Sequence, residues 1–153
     1  MKIATIVLTF ITTLLIGCSR TPSATAIFDH YLNKTFGLSI ADDEHYYLII
    51  PSYGCIGCIE VVFEELLENL PESSDKFTWI VSADQKQYQS RLNGYKVLID
   101  NNNDIGSTAL NIGNITVIHT FKGKVKEITN LNSKEDAQRY LNPIDDLNLK
   151  FRN

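Results

Sequence analysis

Apolar positions along this chain follow two rhythms, and the change from one to the other marks out the elements. Residues 46–50, Tyr-Tyr-Leu-Ile-Ile, form an almost unbroken apolar run, which predicts a central strand buried on both faces. Residues 55–70 then repeat at three- and four-residue steps through Ile56, Ile59, Phe63, Leu66, Leu67 and Leu70. Glu60, Glu64, Glu65 and Glu68 fill the positions between, and Pro71 closes the run. That is an amphipathic helix. Upstream, Ile27, Tyr31, Leu32 and Phe36 place another helix over 24–36, with Gly37 as its stop. Downstream, the pattern predicts a strand over 77–82, a polar helix over 84–92, a short strand over 95–99 and a short helix over 105–110. Strands over 115–121 and 124–129 flank Lys122-Gly123 as a hairpin. The last helix spans 133–141 and opens with Ser133 and an acid three residues on. Asp42, Asp43 and Glu44 read as a solvated turn, and the Asn-rich stretch 100–104 as a loop. Residues 142–153 receive no assignment, and no internal repeat is visible. The order is β-α-β-α-β-α-β-β-α behind a leading helix, an α/β class in which a parallel part precedes a hairpin.

Composition narrows the function classes. A chain of 153 residues holds one domain with short extensions. With 44% hydrophobic and 21% charged residues it can build a core, which excludes intrinsic disorder. A net charge of −4 offers no basic surplus, so nucleic acid is not an expected partner. Three cysteines are too few for a disulfide-built mini-protein, and their spacing carries the information.

The first cysteine belongs to the N-terminal segment. Met1 and Lys2 precede an uncharged stretch over 3–16, about fourteen residues, short of the roughly twenty that span a bilayer. Leu15-Ile16-Gly17-Cys18 resembles the lipobox of bacterial lipoproteins: an apolar residue, a spacer, a small residue and the cysteine that is acylated. The resemblance implies a signal peptide over 1–17, lipidation of Cys18, and a tether over 18–24. The remaining divisions are a helix and loop over 25–45, a main domain over 46–141 and a tail over 142–153. A chain held by lipid lies outside the cytosol, facing the periplasm in a Gram-negative cell, where disulfides persist.

The other two cysteines, Cys55 and Cys58, stand in Cys-Ile-Gly-Cys directly after the buried strand and at the start of a helix. Free backbone N–H groups and the positive end of the helix dipole stabilise a thiolate there, making the first thiol a nucleophile. The second thiol lies one turn on, able to attack a mixed disulfide and release the partner. Gly57 is expected to permit the tight ring of a disulfide between them. Strand, motif and the hairpin Ile115-Thr116-Val117-Ile118-His119-Thr120-Phe121-Lys122-Gly123-Lys124-Val125 together resemble the thioredoxin superfamily over residues 46–141. With a lipid anchor the chain looks most like the membrane-tethered TlpA/ResA-type oxidoreductases. The resemblance implies a thioredoxin-like fold, a central mixed sheet flanked by helices with an extra N-terminal helix, and Cys55 and Cys58 as catalytic residues. Three positions depart from the family pattern: Gly54 replaces the Trp before the first cysteine, Ile49 a buried acid, and Ile115 the cis-proline. A cis bond before Ile115 costs roughly 2.5–4 kcal/mol, so a trans bond is expected.

The implied activity is thiol–disulfide exchange in the cell envelope, with a thiol or disulfide protein substrate, a membrane redox partner and no cofactor. Two alternatives use the same cysteine pair: a redox-inert binding lipoprotein, and a lipoprotein handling copper or zinc through two thiolates. For the latter, His119 is the one histidine after the motif and falls inside a strand, while His30 and His45 precede it. Glu60 could act as a nearby acid but reads first as a solvated helix-face residue. Lys122-Gly123-Lys124 lacks a Walker context, Trp79 reads as core, and the Asn-rich loop lacks the Gly and Glu of a calcium loop.

Overall fold

The computed structural model describes residues 21–71 and 74–151, with side chains through residue 142. The expected signal peptide and Cys18 lie outside the described residues. In helix α1 (Ala24–Phe36) Ser23 Oγ caps the start, accepting from the Ala26 N–H at 3.2 Å, and the expected stop, Gly37, ends the helix at φ +67°. Then follow β1 (His45–Ile50), α2 (Ile56–Asn69), β2 (Phe77–Ser82), α3 (Lys86–Gln89) and β3 (Lys96–Asp100). A 3-10 turn (Asp104–Ser107) leads to β4 (Ile115–Phe121), β5 (Lys124–Leu131) and α4 (Lys134–Phe151). None of the helices among the described residues is long and apolar enough to cross a membrane.

The five strands form one sheet in the order β3-β2-β1-β4-β5. Strand β1 pairs in parallel with β2, which pairs in parallel with β3; β1 also pairs antiparallel with β4, and β4 with β5. A mixed sheet of this order, with helices on both faces, is a thioredoxin-like fold. Because side chains alternate, the unbroken apolar run of β1 serves two cores. Leu48 and Ile50 pack with Ile59, Phe63 and Leu66 of α2, Trp79, and Ala137 and Leu141 of α4. Tyr47 and Ile49 pack on the other face with Phe28 and Leu32 of α1, Ile80, Ile105 and Ile118. Full burial of each such aliphatic or aromatic side chain contributes about 1.5–3 kcal/mol, so β1 is anchored from both sides and its C-terminal end is a rigid platform.

Three expectations about helices are corrected. The polar helix over 84–92 is reduced to the four residues of α3. Tyr88 and Leu92 are its buried apolar anchors, and the N–H groups of Tyr88, Arg91 and Leu92 bond three residues back rather than four. With so little to bury, a longer helix has no tertiary support. Conversely, the last helix, expected over 133–141, is longer: α4 continues through Pro143 to Phe151. A proline removes one helical hydrogen bond, which an 18-residue helix withstands. At its start Ser133 Oγ accepts from the Asp136 N–H at 3.2 Å, while Asp136 Oδ2 accepts from the Asn132 N–H at 3.1 Å. The helix expected over 105–110 is the 3-10 turn, and β5 runs two residues beyond 129.

The 3-10 turn is held by Asp100, the fully buried last residue of β3. Its carboxylate accepts from Tyr31 Oη at 3.0 Å and from the N–H groups of Asp104 and Ile105 at 2.9 and 3.0 Å. Burial, then the Asp100 charge, pushes the Tyr31 phenol far above its ordinary value.

Candidate functional site

The site forms where β1 leaves the sheet. Pro51 is buried, and its carbonyl accepts from Gln85 Nε2 at 3.2 Å. The next N–H, that of Ser52, donates to Asn103 Oδ1 at 3.3 Å. Tyr53 leans outward, 45% exposed, and its hydroxyl donates to the Ile112 carbonyl at 3.4 Å. Gly54 turns the chain at φ +133°, and Cys55 caps α2.

Cys55 has the dihedrals of an N-cap, φ −77° and ψ 107°, and its carbonyl accepts the first helical bond from the Ile59 N–H at 2.9 Å. Its sulfur takes the place of the usual Ser or Asp oxygen, accepting from the Cys58 N–H at 3.3 Å. Cys55 and Cys58 are joined as a disulfide, with Cα atoms 5.1 Å apart. Cys55 is exposed and Cys58 half-buried. Between them Ile56 is 71% exposed, so an apolar rim of Tyr53 and Ile56 borders the outer sulfur.

The structure corrects which glycine the motif needs. Gly57 does not adopt a positive φ, and a Cβ built on it meets nothing within 4 Å. Gly54 is the constrained one: besides its φ, a Cβ there lies 2.8 Å from Asn114 Oδ1 and 3.2 Å from Ile59 Cδ1. The absence of a large residue before the first cysteine therefore has a cause, since the Asn114 side chain occupies that space.

Asn114, which the sequence pattern did not single out, reaches the cysteine motif. Its Oδ1 accepts from the Cys55 N–H at 2.9 Å, and its Nδ2 donates to Asn132 Oδ1 at 3.1 Å. The preceding loop is fixed by further amides. Asn130 Oδ1 accepts from the Gly113 N–H at 3.0 Å and from Thr116 Oγ1 at 2.6 Å, while Asn130 Nδ2 donates to the Asn111 carbonyl at 3.1 Å. No cis peptide bond occurs among the described residues, so the bond into Ile115 is trans. Ile115 itself is fully buried.

The other residues weighed from sequence lie elsewhere. Glu60 faces away, paired with Arg91 at 2.6 Å, and that hydrogen bond holds its carboxyl below the ordinary range. It is a charged anchor for Arg91, which also binds Glu64 and lies 4.9 Å above the Phe63 ring. His119 sits four residues along β4 from Ile115, stacked on Tyr46 with ring centroids 4.6 Å apart. Its Nε2 is 3.3 Å from Glu44 Oε1, off the line of a hydrogen bond. His45 is buried against Thr78 Oγ1 at 2.8 Å, and His30 lies on α1. No histidine joins the cysteine pair, and no group of three or more metal-ligating side chains gathers among the described residues. Ile49 is fully buried in the α1-side core. Trp79 is core, edge-on to Phe63.

Chemically, an exposed cysteine on a helix N-terminus, beside a partner sulfur one turn on, is arranged for two-electron thiol–disulfide exchange. Neither a protein-family model nor a curated protein matches the sequence. The crystal structure of a peroxiredoxin-like protein from Aquifex aeolicus is similar over 71% of this chain and 74% of its own, at 16% identity and a TM-score of 0.41.

Proposed function

We propose that the protein is a thiol–disulfide oxidoreductase of the cell envelope, anchored to a membrane by lipid on Cys18. The observation that carries the redox part is the exposed Cys55, its sulfur capping α2 and bonded to the half-buried Cys58. The anchor rests on Leu15-Ile16-Gly17-Cys18 and the leader before it.

In the reducing direction the Cys55 thiolate attacks one sulfur of a substrate disulfide. A Cys55–substrate disulfide forms, and the other substrate sulfur leaves as a thiolate. The Cys58 thiol, on losing its proton to solvent, attacks the Cys55 sulfur, restoring the Cys55–Cys58 bond and expelling the second substrate thiolate. Two electrons pass from the pair to the substrate, and a second thiol donor reloads the pair by the same steps in reverse. No protein carboxylate assists at Ile49 or Glu60, so solvent takes the proton of Cys58. The exposed rim of Tyr53 and Ile56 suits an apolar stretch of a protein substrate beside its cysteine.

An equilibrium redox titration, with alkylated thiols counted by mass, tests this reading. A reversible couple at or below about −230 mV marks a reductant, and one near about −120 mV an oxidant. A pair that never cycles refutes the oxidoreductase and leaves a structural disulfide. Metabolic labelling with a fatty-acid analogue tests the anchor separately, and label that survives Cys18→Ser refutes it.

A further inference from the structure

The backbone around the cysteines is held by side-chain amides at both ends of one short loop. Asn103 Oδ1 takes the N–H of Ser52, and Asn114 Oδ1 takes the N–H of Cys55. The second of these reaches the reactive residue itself, across 59 positions of sequence. As an N-cap, Cys55 donates its own N–H to no helical carbonyl. Asn114 supplies the acceptor, and its amide is oriented from behind by Asn132, whose N–H is in turn tied to the Asp136 carboxylate at the start of α4. Gly54 leaves room for this side chain and for nothing else.

We propose that Asn114 is a positioning residue for Cys55, its amide oxygen fixing the Gly54–Cys55 peptide so that the Cys55 sulfur stays on the Cys58 N–H. The inference rests on the reading of Cys55 as the attacking thiol. A sulfur aligned with a helix N–H is stabilised as the thiolate; a sulfur free to rotate away loses that bond and most of the dipole's benefit. Asn114 touches neither sulfur nor substrate and acts through the backbone of Cys55. It carries no charge, so the clamp itself does not change with pH.

The test is the pH profile of Cys55 alkylation, measured on the full chain in detergent in a Cys58→Ser background and followed by mass at the Cys55 peptide. The parent is expected to react with a midpoint below the ordinary thiol value of about 8.5. Adding Asn114→Ala is expected to move the midpoint up by about one unit, slowing alkylation about tenfold at pH values well below the parent midpoint while the limiting rate at high pH stays the same. Should that variant not fold, Asn114→Ser, one bond too short to reach the Cys55 N–H, tests the same contact. Asn103→Ala releases the other end of the loop and serves as the comparison. A profile in Asn114→Ala that superimposes on the parent overturns the proposal. So does an equal shift in Asn103→Ala, which would show general loosening, or a parent midpoint at or above 8.5, which would show no thiolate stabilisation to protect. Alkylation does not require the pair to cycle, so a failed redox titration and a failed Asn114 test are separate results.

Discussion

Replacing either glycine of the site by alanine separates a required backbone from a permitted one. At Gly54 the new Cβ meets two penalties. A non-glycine residue at φ +133° costs on the order of 1–3 kcal/mol. The Cβ also falls 2.8 Å from Asn114 Oδ1, the far end of a side chain that can swing aside. The clash is therefore relieved by giving up the bond to the Cys55 N–H, worth about 1 kcal/mol. Together these give a loss of about 3 kcal/mol for Gly54→Ala. At Gly57, in the first turn of α2 with open space around it, alanine restricts the unfolded chain at no native cost and stabilises by about 0.5–1 kcal/mol. Equilibrium urea unfolding of the oxidised proteins reads both. With a slope of about 1.5 kcal/mol per molar, the midpoint falls by about 2 M for Gly54→Ala and rises by about 0.5 M for Gly57→Ala. If Gly54→Ala unfolds within 0.5 M of the parent, or if both variants move in the same direction, the assignment of Gly54 as the constrained residue is wrong.

Two further outcomes follow from the exposure of Cys55 and the burial of His45. Cys58→Ser should accumulate mixed disulfides through Cys55 when the protein is mixed with an oxidised substrate, and Cys55→Ser should not; equal trapping by both, seen on non-reducing gels, contradicts the order of attack. Burial, reinforced by the nearby Lys96 charge, lowers the His45 imidazole from 6.5 to about 4. The unfolded chain therefore binds more protons than the native state below about pH 6.5. The stability is whole above that pH and drains as pH falls toward 4, by roughly 2 kcal/mol in all once solvent screening is allowed for. A urea midpoint with the same pH dependence in His45→Gln as in the parent removes His45 as the cause.

What could be read from the sequence was local. The boundary residues Gly37 and Ser133 satisfy backbone groups within four residues, so their type and spacing announce them. The run 46–50 announces a strand because both faces of that strand are covered. The Cys-Ile-Gly-Cys placement follows from strand and helix boundaries that are themselves local. What could not be read depends on partners brought together by the sheet. Asp100 reads as the start of an Asn-rich loop; it ends β3 instead, buried under Tyr31, 69 residues earlier. Gly54 and Gly57 are indistinguishable as letters; only the neighbour across the fold separates them. Asn114 carries no local mark, because its partners, the Cys55 N–H and Asn132, are brought to it by the fold.

Gly54, Asn114 and Ile115 form one arrangement around the Cys55 N–H and the entry to β4. Gly54 leaves a space, Asn114 fills it and takes the Cys55 N–H, and Ile115 enters β4 through a trans bond into the core. If so, the first two must be energetically coupled. In Asn114→Ala the oxygen that a Cβ at 54 would strike is gone, and the bond that Gly54→Ala would break is already lost. The double variant should then cost only the Asn114→Ala loss plus the backbone strain at 54, about 1 kcal/mol or more below the sum of the singles. Sites that act independently add within about 0.5 kcal/mol. A double-mutant cycle by urea unfolding that closes within that margin would separate Gly54 from Asn114. The glycine would then answer only to its own dihedral, and the Asn114 side chain would no longer explain why no larger residue precedes Cys55.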